Sequence, residues 1–554
     1  MMVEQREHWA TKLGLILAMA GNAVGLGNFI RFPAKAAAYG GGAYLIPYFI
    51  ALVLLGIPIM FVEWVLGRYG GQFGHGHLAP MLYLTAKKKL SPSSAAWFAI
   101  IGGAIAFIAG VMITGYYSNI VGWMAFYACS SLGGVFAEFE TAGDAIGYLV
   151  DFLTNPVYNF PAWLISLFIM TFIVSRGIRR GIEIAAKIMM PILFLEGIVL
   201  IVLSLTLGAP VKPEWSSIKG FEWLWTPKLT KLGDPTAFIE GAGQIFFTLS
   251  IGIAGIIPNY ASYLRREDDI PLSALTTTSL NEFAEVVMGA SIAIPLAYAF
   301  GGYVMPSQEA INAWLAENPG ASLCDALDAL GASPLVQVEH GCLSGFMLSV
   351  SALPPLFGKL GGLGSLAGFL WYSLLWFAGT TSAIAIINVI TTIFEEDFNI
   401  KRSVSAWISF TLVFLAGVFV NIEGAMNTPQ LTDYLDLADF YAGSLILVVV
   451  ALIEVVAVLW LWGVEESYEE LHRGAFLTIP KWYWRIVAGV ITPIYLIIML
   501  VWFAVTGTST PPAIPENMFG WLAVVMMFVM FVVGLVINKV VIYRRYGKEI
   551  RGGT

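Results

Sequence analysis

Glycines and asparagines interrupt the first long apolar run of the chain, in the segment Gly21-Asn22-Ala23-Val24-Gly25-Leu26-Gly27-Asn28. Glycine loosens the α-helical conformation, and a bilayer core holds no water to satisfy the backbone groups that are freed. Broken backbone at membrane depth is tolerated where it lines a cavity, and its carbonyl oxygens, with asparagine amide oxygens, suit Na⁺. The alternative is a glycine seam for close helix packing, which does not account for Asn28.

A second apolar run, residues 238–264, is interrupted in the same way by glycines, Thr248 and Ser250. Asn281 and Glu285 follow in the next apolar run, one helical turn apart and therefore on the same face. A carboxylate inside a membrane span is costly and indicates a function. Together these residues predict a polar site near the membrane midplane.

The composition indicates which elements hold this site. The chain is 58% apolar and 12% charged, whereas soluble proteins are about 45–50% apolar and about 25% charged. Apolar runs that can cross a hydrocarbon core of about 30 Å occur near residues 10–38, 41–67, 95–127, 160–176, 181–208, 238–264, 272–304, 363–394, 403–421, 431–463, 483–506 and 518–543. We therefore predict an all-α integral membrane protein of about twelve transmembrane helices, with spans 1 and 6 unwound.

Lysine and arginine are concentrated on one side of the membrane in this arrangement, except in the loop 209–237. The positive-inside rule makes the basic side cytoplasmic, so both termini are predicted to be cytoplasmic and the chain to lie in the plasma (inner) membrane. The net charge of −8 does not indicate a nucleic-acid partner. The predicted segments are an N-terminus 1–9, spans 1–5 over 10–208, an extracellular loop 209–237, spans 6–10 over 238–463 with a long outer loop 305–362, spans 11–12 over 464–545 and a C-terminus 546–554.

Cysteine and histidine give little indication of chemistry. Cys324 and Cys342 share the long outer loop, where a disulfide and two free thiols are both open. His75 and His77 lie in a loop and are interpreted as solvated. Since no metal-ligand cluster, nucleophile–base pair or phosphate loop is found at membrane depth, we do not expect an enzyme or an organic cofactor.

Short motifs along spans 1 to 8, in order and at consistent spacing, resemble the motifs of one family. They are Trp9-Ala10-Thr11, Gly21 through Pro33, Gly40-Gly41-Gly42-Ala43, Glu63-Trp64, Gly67-Arg68-Tyr69-Gly70, Tyr116-Tyr117, Gln244 through Ser250, Tyr260-Ala261-Ser262-Tyr263, Leu280-Asn281-Glu282 and Phe377-Ala378-Gly379. The chain resembles the bacterial amino-acid transporters of the neurotransmitter:sodium symporter family. That family is the standard example of interrupted spans in an inverted repeat, so the resemblance implies two five-helix repeats, spans 1–5 and 6–10, followed by two C-terminal helices.

The resemblance implies two Na⁺ sites. The first takes the carbonyl of Ala23, the side chains of Asn28, Thr248 and Asn281, and the carboxylate of the substrate, which couples ion and substrate directly. The second takes the carbonyls of Gly21, Val24 and Ala378 and the hydroxyls of Thr381 and Ser382. Taken alone, either hydroxyl is better explained by a hydrogen bond to its own helix, and the resemblance reverses that preference.

The resemblance also implies that the protein lies in the lipid bilayer and has a substrate site for an α-amino acid. The amides of Leu26 and Gly27 suit its carboxylate, because helix N-termini are positive, and Tyr117 adds a hydroxyl. Its ammonium group is met by Ala23, Phe247, Thr248 and Ser250, while Gly25 leaves the negative charge to the substrate. Ile113, Phe247, Ile253, Ser382 and Ile386 line the side-chain end. One bacterial member of the family carries phenylalanine where Ile253 stands. The smaller isoleucine should open volume, which favours medium to large apolar substrates such as leucine, isoleucine, methionine, valine and, at the large end, phenylalanine.

Two gates follow from the same resemblance. On the outside, Arg31 is expected to pair with Asp439, with Phe247 and Tyr117 closing over the substrate. On the inside, Arg6 is expected to pair with Glu396, or with the neighbouring Asp397, near Trp9, Ser262 and Tyr263. An exposed ion pair contributes little stability, which suits a gate that opens repeatedly.

Glu285 is the other diagnostic residue. Chloride-dependent relatives carry serine there and bind Cl⁻ beside residues matching Tyr48, Gln244 and Thr248, so Glu285 is expected to supply the negative charge itself. The expected function is chloride-independent, Na⁺-coupled uptake of apolar α-amino acids by alternating access. A sensor that binds without accumulating is the alternative from another class, and a homodimer remains open. Glu63 is expected to be a buried, hydrogen-bonded structural acid.

Overall fold

The computed structural model describes residues 7–428, 431–506, 515 and 517–552, and these residues form helices and loops without β-strands. Ten helices in the described part, and one further pair bent by 50°, are long and apolar enough to cross a membrane. The bent pair is span 1, Lys12–Ala23 and Gly27–Ala38. Span 6 consists of two shorter helices, Thr236–Leu249 and Ile256–Ala261. These two broken spans and the ten long helices confirm the predicted all-α membrane fold with broken spans 1 and 6.

The ten other spans match the predicted apolar runs in order. They are span 2 (Gly41–Gly71), span 3 (Pro92–Leu132), span 4 (Pro156–Ser175), span 5 (Ile178–Thr206), span 7 (Ile270–Gly301), span 8 (Gly362–Asp397), span 9 (Arg402–Ala425), span 10 (Asp433–Leu471), span 11 (Tyr483–Val505) and span 12 (Met518–Ile550). Spans 10 and 12 continue beyond the predicted ends at 463 and 545, because a helix persists into water after its apolar pattern stops.

The outer loops form helices of their own. They are Ala142–Thr154, Ser217–Trp225, Gln308–Glu317, Leu323–Ala329, Pro334–Glu339 and Gly345–Gly358, whereas Leu78–Ala86 follows span 2. Cys324 and Cys342 form a disulfide, which decides between the two alternatives. Helix Gly345–Gly358 lies directly on span 1, since a Cβ added at Gly345 would lie 1.7 Å from the Ile30 carbonyl oxygen.

Packing places spans 1 and 6 at the centre of the molecule. The inner helix of span 1, Lys12–Ala23, packs against spans 5, 7 and 8. Span 3 packs against spans 4, 8, 9 and 12. Spans 5, 11 and 12 carry exposed large apolar side chains such as Leu195, Ile498 and Phe528. These outward faces suit contact with lipid tails, which are as apolar as leucine.

The break in span 6 has a local backbone cause. Four residues between its two helices have positive φ, namely Ser250 (55°), Gly252 (72°), Ala254 (56°) and Gly255 (74°). This left-handed region cannot continue a right-handed α-helix. Gly252 is also required sterically, because a Cβ there would lie 2.3 Å from the Leu447 carbonyl oxygen. Its N–H donates to Glu63 at 2.7 Å, so Glu63 is the buried, hydrogen-bonded acid that the sequence predicts.

Candidate functional site

Oxygen atoms from spans 1, 6 and 7 converge at the first predicted Na⁺ site. The side-chain amide of Asn281 lies 3.1 Å from the Ala23 carbonyl oxygen and 3.2 Å from both the carbonyl and the hydroxyl oxygen of Thr248. Asn281 is fully buried and Thr248 is 1% exposed. With its nitrogen on this side, the amide hydrogen-bonds to these oxygens, and with its oxygen there, the cluster is one that a cation can bind. The donor set therefore fits Na⁺, which prefers oxygen ligands.

Asn28 joins this cluster through its nitrogen. Its Nδ2 donates to Asn281 Oδ1 at 2.9 Å and to Thr248 Oγ1 at 3.0 Å, while its Oδ1 accepts from the Gly25 N–H at 2.8 Å. The sequence predicts that Asn28 binds the ion through oxygen. A 180° rotation of the side-chain amide exchanges the two atoms, and Na⁺ coordination by Asn28 requires that rotation.

Glu285 lies at the edge of the same cluster and is fully buried. Its carboxylate accepts from the Thr248 hydroxyl, from Gln244 Nε2 at 2.5 Å and from Asn28 Nδ2 at 3.3 Å. Two of the three predicted chloride-site residues thus hydrogen-bond to Glu285. The third, Tyr48, donates its hydroxyl to Glu282 at 2.8 Å, a second carboxylate that sequence reasoning did not single out.

A second set of oxygens lies between spans 1 and 8. Ser382 Oγ lies 3.3 Å from the Gly21 carbonyl oxygen, 3.0 Å from that of Asn22 and 3.2 Å from that of Ala378. Thr381 Oγ1 lies 3.1 Å from the same Ala378 oxygen. Both hydroxyls are thus bonded to their own helix, and Ser382 in addition joins span 8 to span 1.

Asn22, which the sequence analysis did not assign, contributes a carbonyl oxygen to this second set. Val24, a predicted ligand, ends the helix Lys12–Ala23 with an extended backbone (φ −74°, ψ 95°). The role of Val24 as a ligand stays a prediction. Residue types alone do not distinguish carbonyls one or two positions apart, because every residue has one.

A cavity lies between the two broken helices. Ten of the twelve predicted substrate residues line it, all except Leu26 and Thr248. The lining residues are Asn22, Ala23, Gly25, Gly27, Asn28, Ile113, Tyr117, Phe247, Ser250, Ile253, Ile256, Ser382 and Ile386. Ile256 was not predicted, since an isoleucine in an apolar run carries no distinguishing signal. The lining thus combines polar groups, among them Asn28 of the first oxygen cluster, with four isoleucines.

The start of the outer helix of span 1, Gly27–Ala38, forms one end of this cavity. The Leu26 N–H donates to the Tyr117 hydroxyl at 3.4 Å. A Cβ added at Gly25 would lie 3.2 Å from Ser382 Oγ and 3.3 Å from the Tyr117 hydroxyl, so a side chain there would enter the cavity. A Cβ at Gly27 would lie 2.5 Å from the ring of Phe247, which covers this end. The Ser250 hydroxyl donates to the Asn22 carbonyl at 2.9 Å across the two breaks.

The outer gate residues lie above the cavity, but they are not paired as expected. The Arg31 guanidinium lies over the Phe247 ring at 4.9 Å and donates to the Gly243 carbonyl at 3.5 Å. Asp439 accepts from the Tyr116 hydroxyl at 2.6 Å. Among the described residues there is no Arg31–Asp439 ion pair, because each group has another partner on its own side of the vestibule.

On the inner side, the gate residues close around the start of span 1. Trp9 Nε1 donates to the Tyr260 carbonyl at 3.0 Å, Ser262 donates to the Asn259 carbonyl at 2.5 Å, and the Tyr263 hydroxyl lies 3.3 Å from Thr392 Oγ1. Glu396 lies in the last turn of span 8, where its carbonyl accepts from Arg545 at 2.8 Å. Arg6, its expected partner, lies outside the described residues.

His75 and His77 are buried, each 3% exposed, so the interpretation of both as solvated was wrong. His77 Nδ1 lies 2.9 Å from Asp397, which also receives Arg545 Nε at 2.7 Å. His75 Nε2 lies 2.5 Å from the Tyr546 hydroxyl. The C-terminal end of span 12 covers this loop, and a contact between residues so far apart in sequence cannot be read from local pattern. Asp397 is therefore engaged by His77 and Arg545.

Comparisons with known proteins agree with this arrangement. The model of the sodium:neurotransmitter symporter family matches residues 6–139 and 158–548. An uncharacterized sodium-dependent transporter of Methanocaldococcus jannaschii is 28% identical over 505 residues, covering 89% of each chain. A sodium-dependent nutrient amino acid transporter of Drosophila grimshawi is 25% identical, covering 91% of this chain and 77% of its own. The crystal structure of MhsT in complex with L-phenylalanine superposes with a TM-score of 0.70 at 26% identity, covering 90% of this chain and 99% of that chain.

The family match covers most of the chain, including both broken spans and the oxygen clusters between them. The family consists of sodium-coupled transporters and not of enzymes. The chain therefore belongs to the sodium:neurotransmitter symporter family, as a multi-pass membrane protein that uses Na⁺ to transport a small molecule.

Proposed function

We propose that this protein is a Na⁺-coupled symporter that takes up apolar α-amino acids by alternating access. The observation that carries the proposal is the lining of the cavity, which combines Gly25, Gly27 and Asn28 of the broken span 1 with Ile113, Ile253 and Ile386. An α-amino acid offers charged groups to the first set and an apolar side chain to the second. MhsT, which is similar in fold, was crystallised with L-phenylalanine.

Two Na⁺ ions are proposed to accompany the substrate. The first is held by Ala23, Asn28, Thr248 and Asn281 and by the substrate carboxylate beside them. The second is held by carbonyls of Gly21, Val24 or Asn22 and Ala378 with Thr381 and Ser382. Because the substrate is a ligand of the first ion, each raises the affinity for the other by the same factor.

The remaining parts of the proposal concern charge and topology. Glu285 supplies a fixed negative charge beside the first ion, so transport does not require chloride. Spans 1–5 and 6–10 form an inverted repeat around the cavity, and both termini lie on the cytoplasmic side, where lysine and arginine are concentrated. The ion pair of Arg31 with Asp439 forms in another state of the outer gate.

Equilibrium binding of radiolabelled leucine to the purified protein tests the substrate class. We expect binding in NaCl and in sodium gluconate, no binding in KCl, and competition by isoleucine, methionine, valine and phenylalanine. Competition by glutamate or lysine as strong as that by isoleucine would contradict an apolar substrate. Binding that requires chloride would contradict the role of Glu285.

A further inference from the structure

The cytoplasmic end of span 5 holds the start of span 1 through a buried carboxylate. Glu183 has a side chain that is 1% exposed. Its oxygens accept from the Ala10 N–H at 2.8 Å and from the Thr11 hydroxyl at 2.9 Å, and Lys187 Nζ lies 2.7 Å away. The carboxylate is thereby satisfied by two groups of span 1 and one of its own helix.

Glu183 occupies a notch that the sequence of span 1 provides. A Cβ added at Gly14 would lie 2.2 Å from Glu183 Oε1, so only glycine leaves room for the carboxylate. Thr11 donates to Glu183 and also accepts from the Gly14 N–H as the N-cap of the helix Lys12–Ala23. Loss of the contact with Glu183 therefore also frees the residue that begins this helix.

Two further hydrogen bonds extend the same contact. The Ile178 N–H donates to Glu7 Oε2 at 2.8 Å, and Arg179 Nε donates to the His8 carbonyl at 2.6 Å. We call residues 7–11, with Ile178, Arg179 and Glu183, the span 1–span 5 clasp. Glu183 is a buried charged member of the clasp, and a buried hydrogen bond to a charged group is stronger than an exposed one.

The helix that the clasp holds is the inner half of span 1. Its far end carries the carbonyls of Gly21, Asn22 and Ala23 that line the proposed Na⁺ sites. Any movement that opens the cavity to the cytoplasm by displacing this helix must separate Thr11 from Glu183. Because this helix is rigid, it connects the proposed Na⁺ ligands at one end to the clasp at the other.

We propose that Glu183 is a positioning residue that holds the inner gate closed, so that its loss favours the state open to the cytoplasm. The proposal rests on the alternating access proposed above. It assigns to Glu183 no contact with substrate or ion. Loss of Glu183 affects Na⁺ binding indirectly, because an inner half of span 1 that is released from Glu183 no longer holds its carbonyls in place.

Cysteine accessibility from the cytoplasmic side tests this directly. The parent is the full chain carrying Ser262→Cys and Cys129→Ser, because Cys324 and Cys342 are bonded to each other and do not react. A membrane-impermeant thiol reagent is applied to the protein in nanodiscs, with and without Na⁺. We expect Na⁺ to slow modification of the parent, and Glu183→Gln to react about tenfold faster in Na⁺, as follows when a hydrogen bond to a charged group is lost.

Matched variants make the result decisive. Glu469→Gln removes an exposed cytoplasmic-side carboxylate and should react like the parent. Thr11→Val should react faster than Thr11→Ser, which keeps the hydroxyl, and this pair decides the matter if Glu183→Gln does not fold. Rates for Glu183→Gln within twofold of the parent, or equal rates for the two Thr11 variants, would overturn the proposal. Modification needs no amino acid, so a failure of leucine uptake would count against the proposed function and not against the clasp.

Discussion

The side-chain nitrogen of Asn28 on span 1 lies 2.9 Å from the side-chain oxygen of Asn281 on span 7, although 253 positions separate them in sequence. Both residues are fully buried. The break in span 1 brings the turn that carries Asn28 against span 7, and Thr248 from span 6 completes the group. Three spans therefore meet at one polar point in an apolar interior.

Removal of either asparagine should weaken Na⁺ and substrate binding together. We expect Asn28→Ala and Asn281→Ala each to lower both affinities by about tenfold or more, because ion and substrate share a ligand set. Leucine binding measured over a Na⁺ titration gives both constants. Asn538→Ala is the control, because it removes a buried asparagine of span 12 whose amide donates to the Gly534 carbonyl of the same helix. Loss of leucine affinity with unchanged Na⁺ affinity would show that the two do not share this site.

Glu285→Ser should make transport depend on chloride. The substitution removes the negative charge beside Thr248 and Gln244 and leaves space for an anion among the same donors. Uptake by this variant should be low in gluconate and rise with Cl⁻, while the parent is indifferent. Glu196→Gln is the control, because Glu196 on span 5 is a buried carboxylate that accepts from the Ser373 hydroxyl on span 8. Uptake by this variant should stay indifferent to chloride. If Glu285→Ser has the same activity in both anions, the assigned role of Glu285 is wrong.

Gly25→Asp should abolish amino-acid binding through charge. Its Cβ lies within 3.3 Å of Ser382 and Tyr117, so the new carboxylate faces the carboxylate of the substrate. Two like charges in this buried site repel strongly. We expect leucine affinity to fall at least tenfold further than in Gly25→Ala, which adds a methyl group without charge. Equal losses in the two variants would indicate a steric effect only.

Ile253→Phe should shift the preference toward smaller side chains. Ile253 lines the isoleucine end of the cavity, and a methylene group in such a pocket changes binding by about 1–3 kcal/mol. Competition against labelled valine measures the ratio of phenylalanine to valine affinity. We expect that ratio to fall about tenfold in the variant. A ratio that stays constant would place the substrate side chain elsewhere.

The sequence predicted the elements of this fold better than their contacts. Apolar runs located the spans, and the glycines of span 1 located a break, because both are local properties. The break in span 6 depends on left-handed Ser250 and Ala254 as well as on glycine, and residue type does not reveal that. The histidines were misjudged because their partners are remote in sequence: His75 contacts Tyr546, 471 positions away, and His77 lies beside Asp397.

The candidate site followed from the same distinction. Asn28, Thr248, Asn281 and Glu285 carry distinctive side chains, and the structure brings all four together. The carbonyl of Asn22, the carboxylate of Glu282 and the wall residue Ile256 were missed. A carbonyl is common to every residue, and an isoleucine on a membrane helix has the same appearance whether it faces lipid, a neighbouring helix or a cavity.

Accumulation of leucine against its gradient tests the central claim most directly. The purified protein is reconstituted in proteoliposomes, and uptake of radiolabelled leucine is followed under an inward Na⁺ gradient and under an equal K⁺ gradient. The account predicts transient accumulation above equilibrium with Na⁺ alone, and its collapse when an ionophore dissipates the Na⁺ gradient. Na⁺-dependent binding without accumulation would contradict symport and would favour a sensor.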